Sequence, residues 1–123
     1  PEGVAMELQV TKSKNTTLIT IPNPTLLIGE AGRQFEESLL QSIDEANGQY
    51  LLDLENVEYI EEEVVGALLV LQKVLNQAGG SLKLTGIRRA LRIIVEVLRL
   101  RDFFEIVDDV IPPVASMATA AAV

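Results

Sequence analysis

The sequence predicts an α/β domain on a mixed sheet, antiparallel at its start and parallel where helices act as crossovers, flanked by about four helices. Three observations carry this. A β-branched opening segment folds around a polar turn, strand-like runs then alternate with helix-period runs, and proline or glycine marks most junctions.

Met6 to Val10 alternates weakly, and Thr16-Thr17-Leu18-Ile19-Thr20-Ile21 is β-branched and apolar, with Lys12-Ser13-Lys14-Asn15 as the turn between them. The pair reads as a β-hairpin. Pro22-Asn23-Pro24 ends the second strand, because proline has no N–H to give a ladder and restricts its predecessor. Thr25 to Ile28 reads as a brief further strand. From about Gly32 to Ala46, Phe35, Leu39, Ile43 and Ala46 mark one helical face, while Glu36, Glu37, Gln41 and Glu45 occupy the other. Asn47-Gly48 reads as the C-cap of that helix.

Tyr50-Leu51-Leu52-Asp53-Leu54 is a short apolar run with polar flanks, as expected of a strand covered on both faces. Beyond it Val64, Leu68, Leu71, Leu75 and Ala78 recur at helical spacing, and Gly79-Gly80 stops the helix because glycine enters the left-handed conformation without steric cost. Glu61, Glu62 and Glu63 fall at the first turn, where free backbone N–H groups and the helix dipole favour negative charge. Tyr59, just before them, is expected to point inward. Ser81 to Thr85 gives another strand, ended by Gly86. A third helix over about Arg88 to Leu98 turns Leu91, Ile94, Val95 and Leu98 inward and its arginines outward. Phe103 to Val107 reads as an edge strand, and Pro112-Pro113 as the opening of a short Ala-rich C-terminal helix within 113–123. Residues 6–123 are expected to form one domain, with residues 1–5 a leader remnant ahead of a start at Met6.

A chain of 123 residues, 48% hydrophobic, suffices for one compact core and is too short for two ordinary domains. Its net charge of −8 argues against a general nucleic-acid binder. Six of its ten basic residues, Lys83, Arg88, Arg89, Arg92, Arg99 and Arg101, nevertheless cluster between positions 83 and 101. They read either as the solvated face of a helix or as a docking face for an acidic partner. With neither cysteine nor histidine, the chain has no disulfides, thiol nucleophiles, Cys/His zinc sites or imidazole catalysis. No apolar stretch is long enough to span a bilayer and no signal segment is visible, so a cytoplasmic protein without membrane insertion is expected.

A buried strand ending in Asp53-Leu54, then Val57-Glu58-Tyr59-Ile60, an acidic corner and Val65-Gly66-Ala67-Leu68-Leu69 resembles the central motif of STAS domains, which include the bacterial anti-sigma factor antagonists. The likeness runs through Ala78-Gly79-Gly80-Ser81-Leu82-Lys83-Leu84 to Leu91, Ile94, Val97, Leu100, Asp102 and Ile106. It implies a STAS-like sheet and a non-enzymatic interaction module of sigma-factor partner switching, without cofactor. The implied partner is an anti-sigma serine-protein kinase or another STAS protein, and homodimerisation stays open. The implied docking residues are Glu61, Glu62, Glu63, Val64 and Val65.

The corner departs from the family pattern. Where the family reads Asp-Ser-Ser/Thr-Gly-Leu-Gly and phosphorylates the first serine to switch binding off, this chain has Glu61, Glu62, Glu63, Val64, Val65 and Gly66. Glu62 stands at the phosphoacceptor position, and Val64 replaces a glycine. Leu98-Arg99-Leu100 stands where the family commonly has Thr-Gly-Leu; arginine suits the left-handed cap poorly, so the third helix is expected to end differently or run on. Glu62 reads either as a permanent charge at a switched position, an incomplete imitation of phosphate, or as simple stabilisation of a helix N-terminus. Thr85, in Leu84-Thr85-Gly86-Ile87, resembles a second phosphorylation site of stressosome relatives, or else caps the next helix. Alternatives are a STAS subunit of a transporter, a stressosome-like scaffold or, from another class, a receiver-like acidic phosphoprotein or small enzyme with a divalent metal at Asp53 and Glu61.

Overall fold

The computed structural model describes residues 6–107 of the chain. The expected C-terminal helix at Pro112-Pro113 lies outside the described residues. Strands β1 (Gln9–Ser13) and β2 (Thr16–Thr20) form the antiparallel hairpin. Ser13 pairs with Thr16, so the turn is the two residues Lys14-Asn15, with Lys14 at φ 53°; Lys12 and Ser13 belong to the strand, not to the turn. Strands β4 (Gln49–Asp53), β6 (Ser81–Thr85) and β7 (Ile106–Val107) add in parallel, giving the order β1-β2-β4-β6-β7. Strands β3 (Thr25–Leu27) and β5 (Val57–Ile60) form a separate two-stranded parallel sheet. Three α-helices are present among the described residues: α1 (Gly29–Ser42), α2 (Glu62–Gln77) and α3 (Arg89–Val97). A 3-10 turn over Leu100–Asp102 follows them.

The core is one apolar cluster in which Ile19, Leu52, Leu82 and Leu84 of the large sheet meet Phe35 of α1, Leu68 and Leu75 of α2 and Leu91 of α3, all at most 3% exposed. Fully burying a side chain of this kind contributes about 1.5–3 kcal/mol, so the cluster is the main source of stability. β2 alternates between exposed and buried residues while β1 is exposed throughout. β1 is the edge of the sheet, paired on one side only, to β2.

Four further elements differ from expectation. Helix α1 ends at Ser42, with Ile43 as its extended C-cap, rather than at Asn47-Gly48. The cause is Tyr50, 2% exposed, whose hydroxyl accepts the N–H groups of Asp44 (3.2 Å) and Glu45 (3.1 Å) and turns the chain away from the helical path. Strand β5 is an element that periodicity did not reveal, since its burial runs buried, exposed, exposed, buried. A register shift between Thr25 and Leu26 skips Glu58, so Tyr59 pairs with Leu26 and faces outward at 45% exposure, contrary to the inward position expected. An extra residue of this kind reverses which side chains face the core. The last strand is only Ile106–Val107; Phe104 is buried from the preceding turn and Phe103 stays exposed.

Arg99 is the fourth. It takes the left-handed conformation (φ 55°, ψ 43°) that its side chain disfavours, and its N–H donates to Glu96 O at 3.2 Å. The following residue, Leu100, is 5% exposed in the core. Burying Leu100 offsets a backbone cost of about 1–2 kcal/mol at Arg99. Helix α2 ends as expected: Gly79 has φ 91° and donates to Asn76 O, while Gly80 donates to Leu75 O at 2.7 Å.

Candidate partner-docking site

Strands β3 and β5 lie parallel and each feeds directly into a helix, so the N-termini of α1 and α2 start side by side. Glu61 joins them. Its N–H donates to Leu27 O at 3.1 Å, and its own carbonyl accepts the N–H groups of Val64 and Val65 at 3.0 and 3.1 Å, opening α2. Its side chain turns the other way: Oε2 accepts the N–H of Gly29 at 3.0 Å, the first residue of α1. One glutamate thus serves two helix N-termini, with its backbone on α2 and its carboxylate on α1, where the dipole favours negative charge.

The corner is closely packed behind that carboxylate. A Cβ on Gly32 would lie 2.9 Å from Val64 Cγ2 and 3.4 Å from Glu61 Oε2, so a side chain on α1 there would push the corner open. Val64 and Val65 are 1% and 6% exposed. They point into the core rather than toward an approaching partner, because the first turn of α2 rotates its apolar face onto α1 and the sheet. Of the five residues expected to dock, the exposed ones are Glu62 and Glu63, on the first turn of α2. Tyr59 and Glu58 stand exposed before them.

Thr85 is 1% exposed and its Oγ1 donates to Val107 O at 2.5 Å, tying β6 to the edge strand β7. Its hydroxyl does not cap α3. Asp53 sits at the end of β4, where its Oδ1 accepts the N–H of Glu55 at 2.9 Å and burial raises its carboxyl above the ordinary range. Among the described residues no group of three or more acidic, histidine or cysteine side chains gathers as a metal ligand set. No helix there is long and apolar enough to cross a membrane.

Sequence reasoning missed one part of this region. Tyr59 shares a concavity of about 200 Å³ with Glu62 and with Ile93 and Val97 of α3, both exposed. The signal was present in the helical wheel, since Ile93 and Val97 lie one turn apart outside the inward face.

The sequence model of the STAS domain matches residues 7–111, most of the chain. The chain belongs to the STAS domain family. No curated protein matches it in sequence. Solved structures of the same fold include an anti-sigma-factor antagonist (STAS) domain protein from Planctomyces limnophilus, 18% identical over 82% of this chain and 88% of that one, with a TM-score of 0.71. The anti-sigma factor antagonist SpoIIAA in its unphosphorylated form is 15% identical over 95% of this chain and 98% of its own, at a TM-score of 0.64. A serine-to-glutamate variant of RsbS from Moorella thermoacetica is 20% identical over 94% and 98%, also at 0.64. At these identities the likeness is one of fold. The overall arrangement of sheet and helices in this STAS domain is thus a shared fold.

Proposed function

We propose that this STAS domain is a non-enzymatic interaction module of the anti-sigma factor antagonist type, which docks on a protein partner through the exposed glutamates of the β5–α2 corner. The partner is an anti-sigma serine-protein kinase or another STAS protein. The observation that carries the reading is the division of labour within the corner. Glu61 is bonded to Gly29 and Val64 and Val65 are buried, whereas Glu62 and Glu63 project from the start of α2. Residues 57–67 contain no serine or threonine, so the corner carries fixed charge where family members carry a switchable hydroxyl. A carboxylate brings one charge and two acceptor oxygens against nearly two charges and three oxygens on phosphate. Partner choice is thereby biased toward a surface that tolerates a permanent anion.

Replacing Glu62 alone by serine keeps the Glu61 cap and the Val64 packing. A kinase surface fitted to an uncharged hydroxyl meets a desolvated, unpaired carboxylate in the native chain, a mismatch that costs about tenfold or more in affinity. Calorimetric titration of native and Glu62→Ser protein against the genomically neighbouring kinase is expected to show tighter binding of the variant, and a phosphorylation assay to label only the variant. Equal affinities would place Glu62 outside the interface.

A further inference from the structure

The exposed side of α3 combines two features that local stability does not explain. Ile93 and Val97 stand one turn apart on the outward stripe of α3, 68% and 72% exposed, beside the exposed ring of Tyr59. All three share the wall of one concavity with Glu62. Arg89 continues the same stripe one turn toward the helix N-terminus and Arg92 lies beside it, while Arg88, the N-cap residue, shares a neighbouring concavity with Arg89, Glu55 and Glu58; all three arginines are exposed.

Every other arginine among the described residues has an acidic partner there: Arg33 pairs with Glu30, Arg99 with Asp102 and Arg101 with Glu96. Arg88, Arg89 and Arg92 pair with no acid among the described residues; Arg92 reaches only the carbonyl of Ile87 at 3.4 Å. They also crowd the positive end of a helix dipole, with no acid in the first turn and no side-chain cap. Such placement opposes the dipole. Solvated leucine-like side chains are common singly, but an apolar pair joined to a tyrosine, on a helix whose exposed arginines have no ion-pair partner among the described residues, is a patch.

One occupant accounts for both features. We propose that a partner protein lays an amphipathic helix on this face, its apolar stripe covering Tyr59, Ile93 and Val97 and its acidic residues facing Arg88, Arg89 and Arg92. Charge complementarity selects the acidic helix. Outside positions 83–101 the chain has only four basic residues, Lys12, Lys14, Arg33 and Lys73, within a net charge of −8, so an acidic element is repelled elsewhere and steered here. An amphipathic helix on an apolar groove is a general recognition mode, read through anchors one turn apart. The inference rests on the reading of this domain as an interaction module, since the concavity abuts Glu62.

The test uses two designed, fluorescein-labelled amphipathic peptides with the same leucine stripe, one flanked by glutamates and one by lysines, and a labelled single-stranded oligonucleotide. Each is titrated against the native protein, the Arg88→Glu/Arg89→Glu/Arg92→Glu variant and the Ile93→Ser/Val97→Ser variant, with amide NMR shifts to map contacts. The glutamate peptide is expected to bind the native protein with shifts on α3 and β5, and to weaken about tenfold or more in both variants. The arginine variant should remain folded and be no less stable to heat than the native protein, because its new charges agree with the helix dipole. Equal binding by native and variants, preference for the lysine peptide, shifts centred elsewhere, or the oligonucleotide on this face would each overturn the proposal. Failure of Glu62→Ser to change kinase binding would sink the corner reading alone, since the glutamate peptide reads the α3 face independently of it.

Discussion

Helices α2 and α3 begin in opposite electrostatic settings. Glu62 and Glu63 occupy the first turn of α2, where negative charge lowers the energy of the helix, and Arg88 and Arg89 occupy the start of α3, where positive charge raises it. Their roles in packing are also opposite. The α2 corner is anchored, with Glu61 bonded across to α1 and Val64 seated against Gly32. The start of α3 has neither a cap nor an ion pair among the described residues. The difference teaches how to weigh a charged helix end: the acidic corner is partly explained by stability, and the basic one is not.

The largest effect is expected from breaking the packed corner. Gly32→Val would drive a branched side chain into Val64 and the Glu61 carboxylate, and overpacking of this kind costs about 1–3 kcal/mol. A urea titration should show the midpoint fall without a change of slope. If stability is unchanged, the two helices are not in close contact there and the comparison loses one side.

The three glutamates should then separate. Glu61→Ala removes the cap of α1 and is expected to cost about 1 kcal/mol, the typical loss of an N-terminal cap. Glu62→Ala and Glu63→Ala should each cost only about 0.3–1 kcal/mol from the dipole. Similar losses at all three positions, by thermal unfolding, would show that Glu61 has no special place.

At α3 the sign should reverse. Arg89→Glu is expected to stabilise the domain by about 0.3–1 kcal/mol, since it converts an opposed charge into a favoured one. The gain should shrink in high salt, which screens exposed charges. A loss of stability on the same substitution would mean that Arg89 has a structural partner and that the contrast with α2 is only apparent.

The smallest effect concerns Asp53. Burial raises its carboxyl above the ordinary value of 3.8, so the folded chain holds this proton more tightly than the unfolded chain does. Its contribution to stability is therefore most favourable at low pH and declines as pH rises from about 3.8 through the higher folded value. Asp53→Asn keeps the acceptor for Glu55 N–H and should gain about 0.5 kcal/mol or less near neutrality, with the gain vanishing in acid. A difference that grows toward low pH would contradict this assignment.

The hairpin, the alternation of strands and helices apart from β5, the span of α2 and β6, and the inward face of α3 were legible in the sequence, because each depends on local periodicity or on a glycine with a defined backbone role. The acidic corner was legible as a place, though not as a division of labour. Val64 looked available to a partner until packing showed it 1% exposed, and Glu61 looked like one of three equal charges until its carboxylate was found on Gly29.

The sequence by itself determined which segments have a core face, since spacing and side-chain chemistry are properties of neighbours along the chain. Tertiary structure alone decided where two helices end and which way one tyrosine faces. Tyr50 stops α1 through hydrogen bonds to residues five and six positions back, the bulge against β3 turns Tyr59 outward, and burial of Leu100 holds Arg99 in a conformation its own preference opposes. Each of these is a contest between a local preference and a contact made elsewhere in the fold that outweighs it, the preference overcome at Arg99 being about 1–2 kcal/mol.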